Sequence, residues 1–214
     1  VTRNYRWAGW LGLLATIIVG LGETLLQFNP AANVADQTGY VFFADIPTWR
    51  LTWGHFLAVC GAPLYIAGYA WLAYMIRPAG SKRAGWFFAL GAMAFMIGAV
   101  WIGQRAFIAT AVQADLGPTL LARFKDLHEP LAHILRGLVL LISGLWVWAV
   151  WSRHTSFPRR IALAAPIVPL SVIFGLYSSG LNLGDYVFPA AMNVAHFILF
   201  GAALWTTRNV AANG

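Results

Sequence analysis

Three histidines, His55, His133 and His196, each stand near the start of an apolar run, with a glycine four to six residues later. Imidazole suits zinc or iron, and three imidazoles completed by a carboxylate or water form a common catalytic metal set. Glu23 or Asp185 would complete it, as a fourth ligand or as the general base for metal-bound water. Arg105 or Arg136 would neutralise an oxyanion or hold an anionic headgroup. The candidate catalytic residues are therefore Glu23, Asp185, Arg105 and Arg136, and the candidate ligands of zinc or iron are His55, His133 and His196. The same histidines serve a second reading, in which they are axial ligands of a non-covalent haem b and the arginines pair with its propionates. Gln104, Tyr177, Ser178, Asn182 and Asn193 are expected in the same pocket, with His128 and Glu129 at its rim or capping the fourth span. A third reading is structural: a glutamate–arginine pair and interhelical histidine hydrogen bonds, with no cofactor.

Such residues need elements to hold them, and the composition says which. Of 214 residues 60% are hydrophobic and 10% charged. An ordinary soluble domain has about 45–50% apolar and about 25% charged residues. The balance excludes disorder and points to an integral membrane protein of all-α class, a single domain over 1–214. The net charge of +7 comes without a basic run longer than two, so it predicts no nucleic-acid partner. The single Cys60 excludes an internal disulfide framework. The first apolar stretch has no small-residue cleavage site and reads as a span, not a removable signal peptide.

A bilayer core takes about 20 apolar residues per helix. Six stretches qualify, over 7–28, 51–76, 84–112, 130–151, 160–179 and 188–205. Arg3, Arg6, Arg77, Lys82, Arg83, Arg153, Arg159, Arg160 and Arg208 then fall on one side with no acid. Asp36, Asp45, Asp115, Asp126, Glu129 and Asp185 fall on the other, with Arg50, Arg123 and Lys125. The bias predicts both termini in the cytoplasm, and Arg50 and Arg123 read as headgroup anchors. The long loop around Gly39 to Phe43 would dip back or cap the bundle. Residues 113–129 read as a surface helix with Leu116, Leu120, Leu121 and Phe124 on one face. Asn182 to Asp185 reads as turn chemistry after Gly180. With this threading, the buried polar residues of all six spans lie in their outer halves. Intramembrane ionisable residues usually face a bundle interior and mark function.

Gly22-Glu23, then Arg50-Leu51-Thr52-Trp53-Gly54-His55-Phe56-Leu57 with Ala62-Pro63-Leu64-Tyr65, and Met192-Asn193-Val194-Ala195-His196 resemble an uncharacterised group of small bacterial six-helix membrane proteins. That resemblance implies the fold and no activity. A weaker likeness, of chemistry alone, is to the alkaline ceramidase and adiponectin-receptor superfamily of membrane zinc hydrolases. Those have seven spans, a histidine pair in the last and a serine–histidine pair in an early one; here His196 is alone and Gly54 precedes His55. Haem-dependent membrane epoxide isomerases offer a similar analogy for the haem reading.

The expectation is a six-helix bundle in a bacterial cytoplasmic membrane with a polar pocket in its outer half. Its preferred function is a metal-dependent enzyme acting on a lipid-like or small amphipathic substrate. The alternatives are a haem-binding membrane protein, or a non-catalytic subunit or small-molecule binder in a homo-oligomer or larger membrane complex. The residues do not decide between enzyme and binder.

Overall fold

A computed structural model describes residues 5–29, 40–152, 154–155 and 157–208. Arg3, Asp36, Gly39 and Arg153, used in the charge sorting and the loop reading, lie outside the described residues. The described chain is all-helical. It forms α1 (Arg6–Gln27), α2 (Thr48–Ile76), α3 (Ser81–Gln113), α4 (Pro118–Trp151), α5 (Ile167–Ser178), α6 (Asn182–Val187) and α7 (Ala191–Thr206), with short 310 segments between some of them. Among the described residues five segments are long and apolar enough to cross a membrane: α1, α2 with its 310 extension, α3, α4, and Leu183–Thr206, which includes α7.

Three expectations are corrected. The stretch 160–179 is not one helix but a 310 segment, Arg159–Ala164, followed by α5. Ala165 is extended (ψ 130°) and Pro166 caps α5, so the break falls at the residue before a proline. Pro169 is tolerated because it lies in the first turn, where backbone N–H groups have no intrahelical partner. Next, the surface helix and the fourth span are one 34-residue helix, α4, which runs through Pro130. Leu121 and Phe124 do pack on the core, whereas Leu116 and Leu120 stay exposed. Finally, the residues from Asn182 to Asp185 form the start of α6 instead of a turn, and the turn is made by Gly180 (φ +71°).

The helices are arranged in a ring. α1 packs on α2 and α7, α2 on α3, and α3 on α4. The ring closes where Arg159–Ala164 touches α4 and α7, and where α5 meets both. α1 and α2 approach closely through glycines. A Cβ on Gly12 would stand 2.7 Å from the Cα of Gly68, and one on Gly22 would stand 2.6 Å from the amide nitrogen of Ala58. Helices in lipid associate through such small-residue contacts, since apolar side chains gain little by leaving lipid.

Large apolar side chains cover the outside as well as the core, and a few polar side chains are buried. Ile17, Leu21, Phe56, Met96, Leu140 and Phe197 are exposed on the outside of the ring, while Glu23, Gln27, His128, Asn193 and His196 are buried within it. Trp7, Trp10, Trp49, Trp53, Trp86, Trp151 and Trp205 are exposed near helix ends, where interfacial aromatics collect.

Candidate functional site

The polar residues of α1, α2 and α7 meet in one buried column. Asn193 donates from Nδ2 to Glu23 Oε2 (2.6 Å) and accepts at Oδ1 from the Tyr65 hydroxyl (2.7 Å). One turn along α7, His196 is held at both ring nitrogens. Its Nδ1 lies 2.8 Å from the Met192 carbonyl, which can only accept, so Nδ1 carries the proton. Nε2 is then the acceptor for the Tyr69 hydroxyl, also at 2.8 Å. Each position follows from helix geometry: Tyr65 and Tyr69 are four apart on α2, Asn193 and His196 three apart on α7, so each pair shares a face. Tyr65 stacks on Phe95 (3.5 Å between centroids, 10°), and the Phe95 ring meets His196 edge-on. The ring of Tyr69 lies across the backbone of Gly91, where no Cβ would fit.

One turn beyond Glu23, Gln27 continues the column. It accepts a hydrogen bond from Arg105 of α3, whose charge also acts on Glu23 and Glu129. The Arg105 guanidinium lies 4.3 Å from the Trp101 ring centre, and Trp101 stacks on His128 (5.2 Å, 14°). His128 donates through Nδ1 to Gln104 Oε1 (3.3 Å). Above these residues the segment from Tyr40 to Ile46 forms a lid, with Tyr40, Phe42, Phe43 and Ile46 buried. The Tyr40 hydroxyl donates to Glu129, Asn29 to the Phe42 carbonyl, and Gln113 to the carbonyls of Phe43 and Ile46. Burial first, and then the bond to Glu129, hold the Tyr40 phenol well above its usual range, so it stays a donor. Arg50, expected as a headgroup anchor, donates to the carbonyls of Thr24 and Phe28 and caps the end of α1.

The candidate residues thus divide. Glu23, Gln104, Arg105, His128, Glu129, Asn193 and His196 come together in the column or under the lid. The remaining histidines do not join His196. His55 is half-buried between Phe56 and Phe107, and its Nδ1 has no hydrogen-bond partner. His133 is exposed on α4, where its Nδ1 accepts from Arg136 (3.3 Å). Among the described residues no group of three His, Cys, Asp or Glu is placed to hold a metal ion. The expected set of His55, His133 and His196 is therefore not assembled, and the described donors do not fit a three-histidine metal centre. Both ring nitrogens of His196 are engaged in hydrogen bonds in this arrangement. Tyr177 stacks on Phe188 (4.0 Å) away from the column; Ser178 and Asp185 are exposed nearby, and Asn182 begins α6. The side chain of Asn182 lies outside the described residues.

The column has a side opening. A groove of about 240 Å³ runs between α1 and α7, lined by Thr16, Ile17, Gly20, Thr24, Ala190 and Phe197, with Asn193 at its floor. Gly20 makes the floor reachable: even a Cβ there would stand 3.2 Å from that of Asn193. Ile17, Leu21 and Phe197 are exposed around it, so the groove opens through the apolar outer surface. Thr16 and Thr24 spend their hydroxyls on backbone carbonyls of their own helix, which leaves Asn193 as the polar end of an otherwise apolar slot.

Residues 3–209 match the model of a family described as a family of unknown function, DUF6796. The chain belongs to that family. The match spans nearly the whole chain and agrees with the expectation of an uncharacterised family, while adding no chemistry. No curated protein and no solved structure matches the chain.

Sequence reasoning missed Gln27, Tyr40, Tyr65, Tyr69 and Trp101. A signal existed for two of them. Tyr65 and Tyr69 lie about one helical turn apart, as Asn193 and His196 do, and a phenol inside a span needs a hydrogen-bond partner.

Proposed function

We propose that this chain is an integral membrane protein that binds a lipid-like or small amphipathic molecule, which enters sideways between α1 and α7 and places its polar end on Asn193 and Glu23. The observation that carries this reading is the apolar groove floored by Asn193, which is itself hydrogen-bonded to Glu23 and Tyr65. Buried polar groups already satisfied by each other cost little to keep, and a ligand hydroxyl or carbonyl can exchange with one of these bonds on arrival.

The reading includes six crossings with both termini on the cytoplasmic side. Arg6 at the start of α1 donates to the Leu204 carbonyl near the end of α7 (3.1 Å), while Glu23 near the end of α1 meets Asn193 near the start of α7. α1 and α7 are thus antiparallel, and their outer ends share one side. Four crossings by α1 to α4 return the chain to that side, so residues between α4 and α7 have to cross once more. The 310 segment Arg159–Ala164 rises about 12 Å, and α5 about 18 Å, which together match a hydrocarbon core of about 30 Å. The basic residues on the termini side support its cytoplasmic assignment.

A long-chain alcohol carrying a diazirine beside its hydroxyl tests the binding. On irradiation in membranes it is expected to label peptides covering 16–24 and 190–197, and Ile17→Trp, which fills the groove from its exposed side, is expected to suppress that labelling. Labelling spread evenly over all lipid-facing helices, unchanged by Ile17→Trp, would refute the site.

A further inference from the structure

A second groove lies at the opposite end of α7, about 600 Å³ in volume, between that helix and the 310 segment Arg159–Ala164. Its floor is apolar and small: Ile161, Ala164, Gly201 and Ala202. Arg160 and Trp205 stand at its rim, both exposed. At Gly201, one of the lining residues, an added Cβ would meet nothing closer than Leu13 Cδ1 at 4.0 Å. The arginines around it differ in their engagements. Arg6 is tied to the Leu204 carbonyl, Arg208 lies 3.6 Å over the Trp205 ring, and Arg159 lies over Trp151 at 5.9 Å. Arg160 has no hydrogen bond, ion pair or ring contact among the described residues, although its guanidinium offers five N–H donors. An apolar slot with an uncommitted arginine and an exposed tryptophan at its mouth matches an acyl chain joined to a phosphate at the membrane–water boundary.

We propose that this groove binds an anionic phospholipid, with one acyl chain against Gly201 and Ala202 and the phosphate on Arg160. Charge decides the class of lipid. The end of the molecule that carries the groove bears Arg6, Arg77, Lys82, Arg83, Arg159, Arg160 and Arg208, with no described acid beside them. A zwitterionic headgroup would bring its own cation into that field, whereas a net negative headgroup does not. The inference rests on the membrane reading above but not on the α1–α7 groove.

The test is native mass spectrometry of the full chain released from detergent micelles containing equal amounts of phosphatidylglycerol and phosphatidylcholine. The wild type is expected to retain phosphatidylglycerol in preference. Arg160→Gln is expected to reduce that preference about fivefold, the effect of one basic residue at an anionic surface. Gly201→Leu, which adds bulk at a lining position where a Cβ has room, is expected to remove the retained lipid while leaving the thermal transition in place. Equal retention of both lipids, an unchanged preference in Arg160→Gln, or displacement of the lipid by millimolar inorganic phosphate would overturn the proposal. An alkaline carbonate wash separates the two levels. Release of the chain from membranes would defeat the membrane reading and this inference together, whereas retention without lipid preference would defeat this inference alone.

Discussion

Tyr69 and His196 form a fully enclosed polar contact between α2 and α7. Both are buried, and each fills the other's remaining hydrogen-bonding capacity. Tyr69→Phe keeps the ring and leaves Nε2 of His196 without a partner, which is expected to cost about 1–3 kcal/mol. His196→Phe strands the Tyr69 hydroxyl at a similar cost. The double variant should recover part of the loss, with a coupling of roughly 0.5–3 kcal/mol in a cycle of reversible unfolding in mixed micelles. Strict additivity would mean that the two side chains do not share a bond. At this scale the sequence was half legible. Glu23, Asn193 and His196 stand out as polar residues in apolar runs, and they do cluster. Tyr65 and Tyr69 do not stand out, because a tyrosine in a span reads first as an aromatic packing residue and its hydroxyl acquires meaning only from the helix opposite. His133 and Arg136 mislead for the converse reason: their types are right for a site, but their face of α4 is uncovered.

The elements explain that difference. α5 has 12 residues and covers α4 around Val139 and Ser143, where Ile167 donates to the Ser143 hydroxyl (3.1 Å). His133 and Arg136 lie one to two turns before that contact and stay exposed. The shortness of α5 follows from its prolines, so the same residues that break the fifth span also leave the fourth partly bare. On the other side of the ring the decisive feature is an absence of side chain. Gly91 of α3 admits the Tyr69 ring against its backbone, and that contact aims the hydroxyl at His196. Gly91→Ala is therefore expected to destabilise by about 1–3 kcal/mol through overpacking. Gly85→Ala and Gly98→Ala, on the same helix with nothing within 4 Å, are expected to be neutral or to stabilise by up to about 1 kcal/mol. Thermal unfolding in one detergent compares all three. A Gly91→Ala protein as stable as the other two would show that Tyr69 is not fixed by α3. Helix lengths were more legible than these contacts. The described α1, α2 and α3 match the apolar runs to within a few residues, since a run of that length has few other ways to satisfy its backbone in lipid. The fusion of α4 through Pro130 was not, because a proline is a strong stop signal by itself and is overridden only by neighbours the sequence does not display.

At the scale of the whole molecule, the described helices close around a polar column that is lidded by Tyr40 to Ile46 at one end and walled by aromatic residues at the other. The slot between α1 and α7 opens laterally onto this column, and the proposed function requires that the bilayer reach Glu23 and Asn193 through it. A lipid-soluble carbodiimide, which couples to carboxyl groups accessible from the apolar phase, measures this directly. Treatment of native membranes with dicyclohexylcarbodiimide, followed by peptide mass mapping, is expected to modify Glu23 ahead of Glu129 and the exposed Asp185. Ile17→Trp is expected to suppress that modification, and Glu23→Gln to abolish it. An unmodified Glu23, or one modified equally in the wild type and Ile17→Trp, would contradict the account.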